Sequence, residues 1–158
     1  MKGFSLQTFI IALLLPFVAG GIGSYFTTPA LNVWYMELAK PPFNPPNIVF
    51  GPVWTILYLL QGIAFYTVLR SKAKAADKNY ASVLFVIQLV LNTLWSIAFF
   101  GYRNPELGVG VIIMLLVFIL LTKRAFDKIS KNAGYLFIPY IAWVSFATVL
   151  NIAIAVLN

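Results

Sequence analysis

The chain is 158 residues long, 61% hydrophobic and 9% charged, with a mean hydropathy of +0.91. A soluble domain carries about 25% charged residues, and a chain this short has too much surface to cover with so few, so composition excludes an ordinary water-soluble domain and points to lipid as the solvent. The net charge of +7, from 11 Lys and Arg against 4 Asp and Glu, does not imply a nucleic-acid partner. The basic residues sit in short gaps between apolar runs rather than along one polar face, and they read as determinants of membrane topology. With neither Cys nor His, the chain offers no disulfide, thiolate nucleophile or imidazole ligand, and no metal or cofactor site is expected.

The first apolar run spans 5–26, interrupted only by Pro16 and by the small residues Gly20, Gly21 and Gly23. Its basic start resembles that of a signal peptide, but the run continues to Phe26 without a small-residue cleavage site, so a retained first helix is expected. The segment 27–52 follows. It holds Pro29, Pro41, Pro42, Pro45, Pro46 and Pro52, six of the nine prolines, together with Trp34, Tyr35, Phe43 and Phe50. A flexible linker has no use for such aromatics, and a rigid cap packed over one end of a bundle is expected, with Trp34, Pro41, Pro42, Pro45 and Pro46 as its lid residues. Four further apolar runs span 53–69, 82–100, 107–126 and 134–157. Each is long enough to cross a bilayer, which takes roughly 17–25 residues. Only helices and closed barrels satisfy backbone groups in lipid, and continuous apolar runs without alternation select helices. The expected fold is a single all-α integral membrane domain over 1–158, a bundle of five transmembrane helices capped at its outer end by the proline-rich loop.

The charge distribution orients this bundle. Lys2, Arg70, Lys72, Lys74, Lys78, Lys123, Arg124, Lys128 and Lys131 fall on one side, and only Lys40 and Arg103 on the other. The positive-inside rule places the N-terminus in the cytoplasm and the C-terminus, with the proline-rich loop, outside.

No ionisable residue lies well inside a span, which argues against proton pumps and ion-coupled transporters. No nucleophile–base set or phosphate loop is present, and no catalytic residue is assigned. The spans carry uncharged polar and aromatic residues at helical spacing instead: Trp54, Tyr58, Gln61 and Phe65 in the second; Gln88, Asn92, Trp95 and Phe99 in the third; Tyr140, Trp143, Ala147 and Asn151 in the fifth. The first span adds Gly20, Ser24 and Thr27 or Thr28 near its loop end. An amide in lipid must find a partner, so these faces turn inward. Any one stripe is accounted for equally well by hydrogen bonding between helices. Three stripes meeting beneath an aromatic cap favour a pocket for a flat, largely apolar ligand. The fourth span has no amide, hydroxyl or charge between Leu107 and Leu121 and is assigned to packing or to lipid contact.

The stretch from Trp34 to Pro46, reading WYMELAKPPFNPP, and the stretch from Val49 to Tyr58, reading VFGPVWTILY, resemble the TspO/translocator protein family, also known as peripheral-type benzodiazepine receptors. Gln88, Leu91, Asn92 and Trp95 in the third span extend the likeness. So do Pro139, Tyr140, Trp143, Phe146, Ala147, Leu150 and Asn151 in the fifth. The resemblance implies a five-helix bundle, often a homodimer, embedded in membrane lipid, with a ligand held under the first loop by Trp54, Asn92, Trp95, Trp143, Ala147 and Leu150. It implies porphyrins as ligands and, in some members, sterols or isoquinoline carboxamides. The roles implied are a receptor or carrier, a light-dependent porphyrin-degrading enzyme, or a regulatory membrane protein. Animal members place a Tyr and then a Lys or Arg after the Leu-Asn pair. Here Leu150-Asn151 is followed by IAIAVLN, so that sterol motif is absent. With no tail after the last helix, a prokaryotic plasma membrane is the expected location.

Overall fold

The computed structural model describes residues 5–158. Helix α1, Leu6–Leu31, is opened by Ser5, whose hydroxyl accepts the Thr8 N–H. It runs through Pro16 and Pro29 and ends five residues beyond the expected limit. A single helical turn, α2, Trp34–Glu37, follows. Helix α3, Asn47–Leu69, starts directly after Pro46 and carries Pro52 in its second turn. The proline ring denies an N–H only to Ile48 near the helix start, a residue 82% exposed, so the helix begins before the apolar run does. The expected loop of 27–52 thereby shrinks to 32–46.

Helix α4, Ala75–Ser96, continues into a π-helical turn, Ile97–Gly101, closed by the Tyr102 N–H donating to Ile97 O at 2.8 Å. Arg103 (φ 53°) then takes a left-handed conformation. Asn104 starts α5, Pro105–Ile129, by accepting the Leu107 N–H at 2.9 Å, with Pro105 in the first turn, where its missing N–H costs nothing. A short α6, Lys131–Tyr135, capped by Ser130, leads into α7, Ile138–Leu157. Among the described residues five helical segments are long and apolar enough to cross a membrane, with α6 and α7 making the fifth. The chain is a multi-pass membrane protein.

Two packing features position the site. At the basic end, Phe65 and Phe85 stack with centroids 4.2 Å apart, and Phe126 and Phe137 close around them. There α1 and α3 touch backbone to backbone at Gly62, where a Cβ would stand 2.9 Å from Leu13 Cα and 3.1 Å from Ala12 O. Helix α5 buries Ile112, Leu115, Ile119 and Phe126 and exposes Ile113, Met114, Val117 and Leu120 on its other side. It packs against α4 and α7 and takes no part in the cavity described below.

The segment between α1 and α3 folds down onto the opposite end. Trp34 meets Phe99 edge-on at 5.6 Å. Tyr35, only 2% exposed, donates its hydroxyl to Asn44 Oδ1 at 2.7 Å, and the Lys40 ammonium lies 5.0 Å from the Tyr35 ring centre. The Asn158 side-chain amide pairs with both backbone groups of Ala39 at 3.0 Å. Burial pushes the Tyr35 hydroxyl from 10.0 up to about 12, so its neutral form is favoured by folding. Its contribution is full below pH 10 and is lost as pH rises toward 12. A stability difference between the protein and Tyr35→Phe that is constant up to pH 10 and shrinks above it is the expected result of unfolding measured across that range.

Candidate functional site

A cavity of about 370 Å³ lies in the half of the bundle next to the proline-rich segment, between α1, α3, α4 and α7. This is within the usual size of small-molecule sites, about 300–1,000 Å³. Gly20 makes room for one wall, because a Cβ there would run into the Tyr58 ring. Trp54 stacks on Tyr58 (5.6 Å, 28°) and tilts against Trp95 (6.1 Å, 35°), so three large rings pack in series along the cavity wall. The π-helical turn carries Phe99 and Phe100 into the roof, where they meet Tyr35. Irregular helical turns of this kind often occur at functional sites.

Polar groups are few and ordered. Trp95 Nε1 donates to Asn151 Oδ1 at 3.0 Å, and Asn151 Nδ2 donates to Pro105 O at 2.8 Å, tying α4, α7 and the start of α5 together. Tyr58 donates to Asn92 Oδ1 at 3.1 Å. Ser24, Thr27, Thr28, Thr55 and Ser96 add hydroxyls, and none of the lining residues is charged. The exposed lining residues are Phe17, Gly21, Ser24, Thr28, Gly51 and Thr55, all on α1 and α3, whereas the lining residues of α4 and α7 are buried. The cavity therefore opens sideways between α1 and α3.

Seven of the ten residues expected to bind a ligand line this cavity, Trp54, Tyr58, Asn92, Trp95, Ala147, Leu150 and Asn151, and so do Phe99 of the third stripe and Gly20, Ser24, Thr27 and Thr28 of the first span. Gln88 and Tyr140 lie deeper and do not touch it; both are fully buried and hydrogen-bonded to each other at 2.9 Å. Trp143 faces a separate, open apolar groove between α3 and α7, with Pro45, Ile56, Pro139 and Phe146. Its ring meets Phe50 at 6.0 Å, and its indole N–H is buried without a partner among the described residues. Of the lid residues, Pro45 borders that groove, Trp34 packs behind the roof, and Pro41, Pro42 and Pro46 reach neither cavity nor groove. The lid residue that does line the cavity is Tyr35. Sequence reading missed it as a wall residue, along with Phe17, Phe50, Thr55, Ser96, Phe100 and Ile154. Ser96 and Phe100 follow from the third stripe by continuing its spacing, whereas Tyr35 carried no periodic signal.

Fold and site together define a multi-pass membrane protein with a laterally open, aromatic-walled, uncharged cavity. The sequence model of the TspO/MBR family matches residues 12–157, and the chain belongs to that family. It is 44% identical to the tryptophan-rich protein TspO of Chlorobaculum tepidum over 96% of each chain. It is 41% identical to the protein of the same name from Archaeoglobus fulgidus, over 94% of this chain and 95% of that one. With the translocator protein of Homo sapiens it shares 36% identity over 87% of this chain and 82% of that one.

Proposed function

We propose that this protein is a membrane receptor or carrier for porphyrin-like ligands, held in the cavity between α1, α3, α4 and α7. The observation that carries this reading is the series of packed rings, Tyr58, Trp54 and Trp95, that lines the cavity. Indole and phenol rings stack on a flat conjugated ligand, and the hydroxyls and amides at the rim bond to its substituents. The open side allows a ring wider than the cavity to extend between α1 and α3. With no His or Cys in the chain, strong axial ligands for haem iron are missing, which favours a metal-free porphyrin. Titration of the purified protein with protoporphyrin IX, followed by tryptophan fluorescence, tests the reading. Saturable quenching is expected; linear, unsaturable quenching instead favours a structural or regulatory role without a small ligand.

A second reading is light-driven breakdown of the bound porphyrin. The aromatic series Tyr58, Trp54, Trp95, with centroids 5.6 and 6.1 Å apart, supports it as a path for an electron or radical. Illuminated turnover that disappears in Trp95→Phe is its expected signature, and turnover that persists removes its residue basis.

Lateral access makes its own prediction. Nothing lies within 4 Å of a Cβ at Gly21, so Gly21→Trp keeps the fold and obstructs the mouth. Stopped-flow mixing with protoporphyrin IX is expected to show association slowed by about tenfold or more. An unchanged rate places the way in elsewhere.

The orientation rests on charge. Arg70, Lys72, Lys74, Lys78, Lys123, Arg124, Lys128 and Lys131 cluster at one end of the described structure, and this supports a cytoplasmic N-terminus in a plasma membrane. Because the chain has no cysteine of its own, single cysteines report cleanly. Met36→Cys is expected to react with a membrane-impermeant thiol reagent on intact cells, and Lys74→Cys only after lysis.

A further inference from the structure

On the side facing the bundle centre, the cavity wall continues into a run of side-chain hydrogen bonds. Tyr58 Oη donates to Asn92 Oδ1 (3.1 Å), Asn92 Nδ2 to Tyr140 Oη (3.0 Å), Tyr140 Oη to Gln88 Oε1 (2.9 Å), and Gln88 Nε2 to Gln61 Oε1 (3.0 Å). The run crosses from α3 to α4 to α7 and back. It ends at Gln61 Nε2, in a residue 0% exposed, which has no partner among the described residues.

Hydroxyls and carboxamides each donate and accept. The same heavy-atom positions therefore hold the run in either direction once the amides are turned and the hydroxyl hydrogens rotated. In the direction just given, every donor points away from the cavity. Tyr58 then shows a ligand only acceptor lone pairs, and a buried NH₂ is stranded at Gln61. In the opposite direction Gln61 donates to Gln88, Gln88 to Tyr140, Tyr140 to Asn92 and Asn92 to Tyr58, so the Tyr58 O–H points into the cavity. The group left without a partner at the buried end is then a carbonyl oxygen, which tolerates this better than an N–H. Whether the second direction is taken depends on an acceptor being present at Tyr58.

We propose that Gln61, which does not reach the cavity, sets through this run whether Tyr58 meets a ligand as donor or as acceptor, and that a ligand carrying a ketone or carboxylate oxygen at Tyr58 reverses the whole run. Tyr58 is then the specificity-determining contact, and Gln61, Gln88 and Tyr140 are positioning residues. Nothing in this inference requires the ligand to be a porphyrin.

The chain contains three glutamines, Gln7, Gln61 and Gln88, so side-chain amide resonances of isotope-labelled glutamine in detergent micelles give a simple readout. Gln7, exposed on α1, is the internal control. Two probes matched in shape are added to saturation: cyclohexanone, which has an acceptor oxygen, and methylcyclohexane, which has none. Cyclohexanone is expected to shift the Gln61 and Gln88 signals and leave Gln7 in place, and methylcyclohexane to move none of them. In Tyr58→Phe, and in Tyr140→Phe, which cuts the run while leaving Tyr58 at the wall, the Gln61 signal is expected to stay put with cyclohexanone. A Gln61 signal indifferent to cyclohexanone in the unmodified protein overturns the proposal. So does one that moves as far with methylcyclohexane or in Tyr58→Phe. The porphyrin titration is separate from this experiment, so failure of either reading is recognisable by itself.

Discussion

Trp95→Ala is expected to weaken protoporphyrin IX binding about a hundredfold, the equivalent of roughly 2–3 kcal/mol, as for a buried aromatic anchor. Trp95 is 9% exposed and forms the centre of the cavity wall, against Trp54 on one side and Phe99 on the other (6.0 Å). Its removal takes away a stacking surface. It also frees Asn151 Oδ1, which loses its only indole donor and no longer fixes that part of the α7 wall. The matched control is Trp143→Ala. Trp143 is equally large but stands in the outer groove, so its loss is expected to change affinity no more than about threefold. Equal losses at the two positions would place the ligand between α3 and α7 instead.

Gly62→Leu is expected to be the most damaging of the glycine substitutions for stability, at about 3 kcal/mol, the upper part of the usual range for overpacking. A Cβ at Gly62 meets not only the end of the Leu13 side chain, which can turn away, but also the backbone of Leu13 and Ala12, which cannot, so α1 and α3 must separate. Small residues at helix crossings allow this close approach, and in lipid such packing supplies much of the association energy. Because the same two helices frame the mouth of the cavity, their separation also loosens the mouth. Unfolding in mild detergent measures the first effect. The porphyrin association rate measures the second and is expected to rise even as stability falls.

The spans were legible in the sequence because lipid imposes a length and a composition on any helix that crosses it, and 5–26 through 134–157 each met both. Their ends were less so. The start of α3 at Asn47 and the end of α1 at Leu31 lie outside the apolar runs, beside prolines that a helix accommodates within two turns of its ends. The stripes announced which faces turn inward, because Asn92, Gln88 and Asn151 must find partners in lipid. They did not announce depth. Gln88 sits one turn below Asn92 on the same face of α4, yet the cavity stops at the level of Asn92 and Tyr58, and the deeper amides bond to one another. Nor does helical spacing say which seam a ring enters: Trp143, one turn from Ala147, goes to the seam between α3 and α7, against Phe50 and Phe146. The shape of the lid depended on contacts distant in sequence, such as Tyr35 with Phe99 and Asn158 with Ala39, which no local pattern encodes.

A structure of the protein saturated with protoporphyrin IX shows whether the ligand occupies the cavity between α1, α3, α4 and α7. Ring density is expected against Trp54 and Trp95, beneath Tyr35, reaching outward between α1 and α3. Density in the groove beside Trp143, with the cavity unchanged, would contradict this placement.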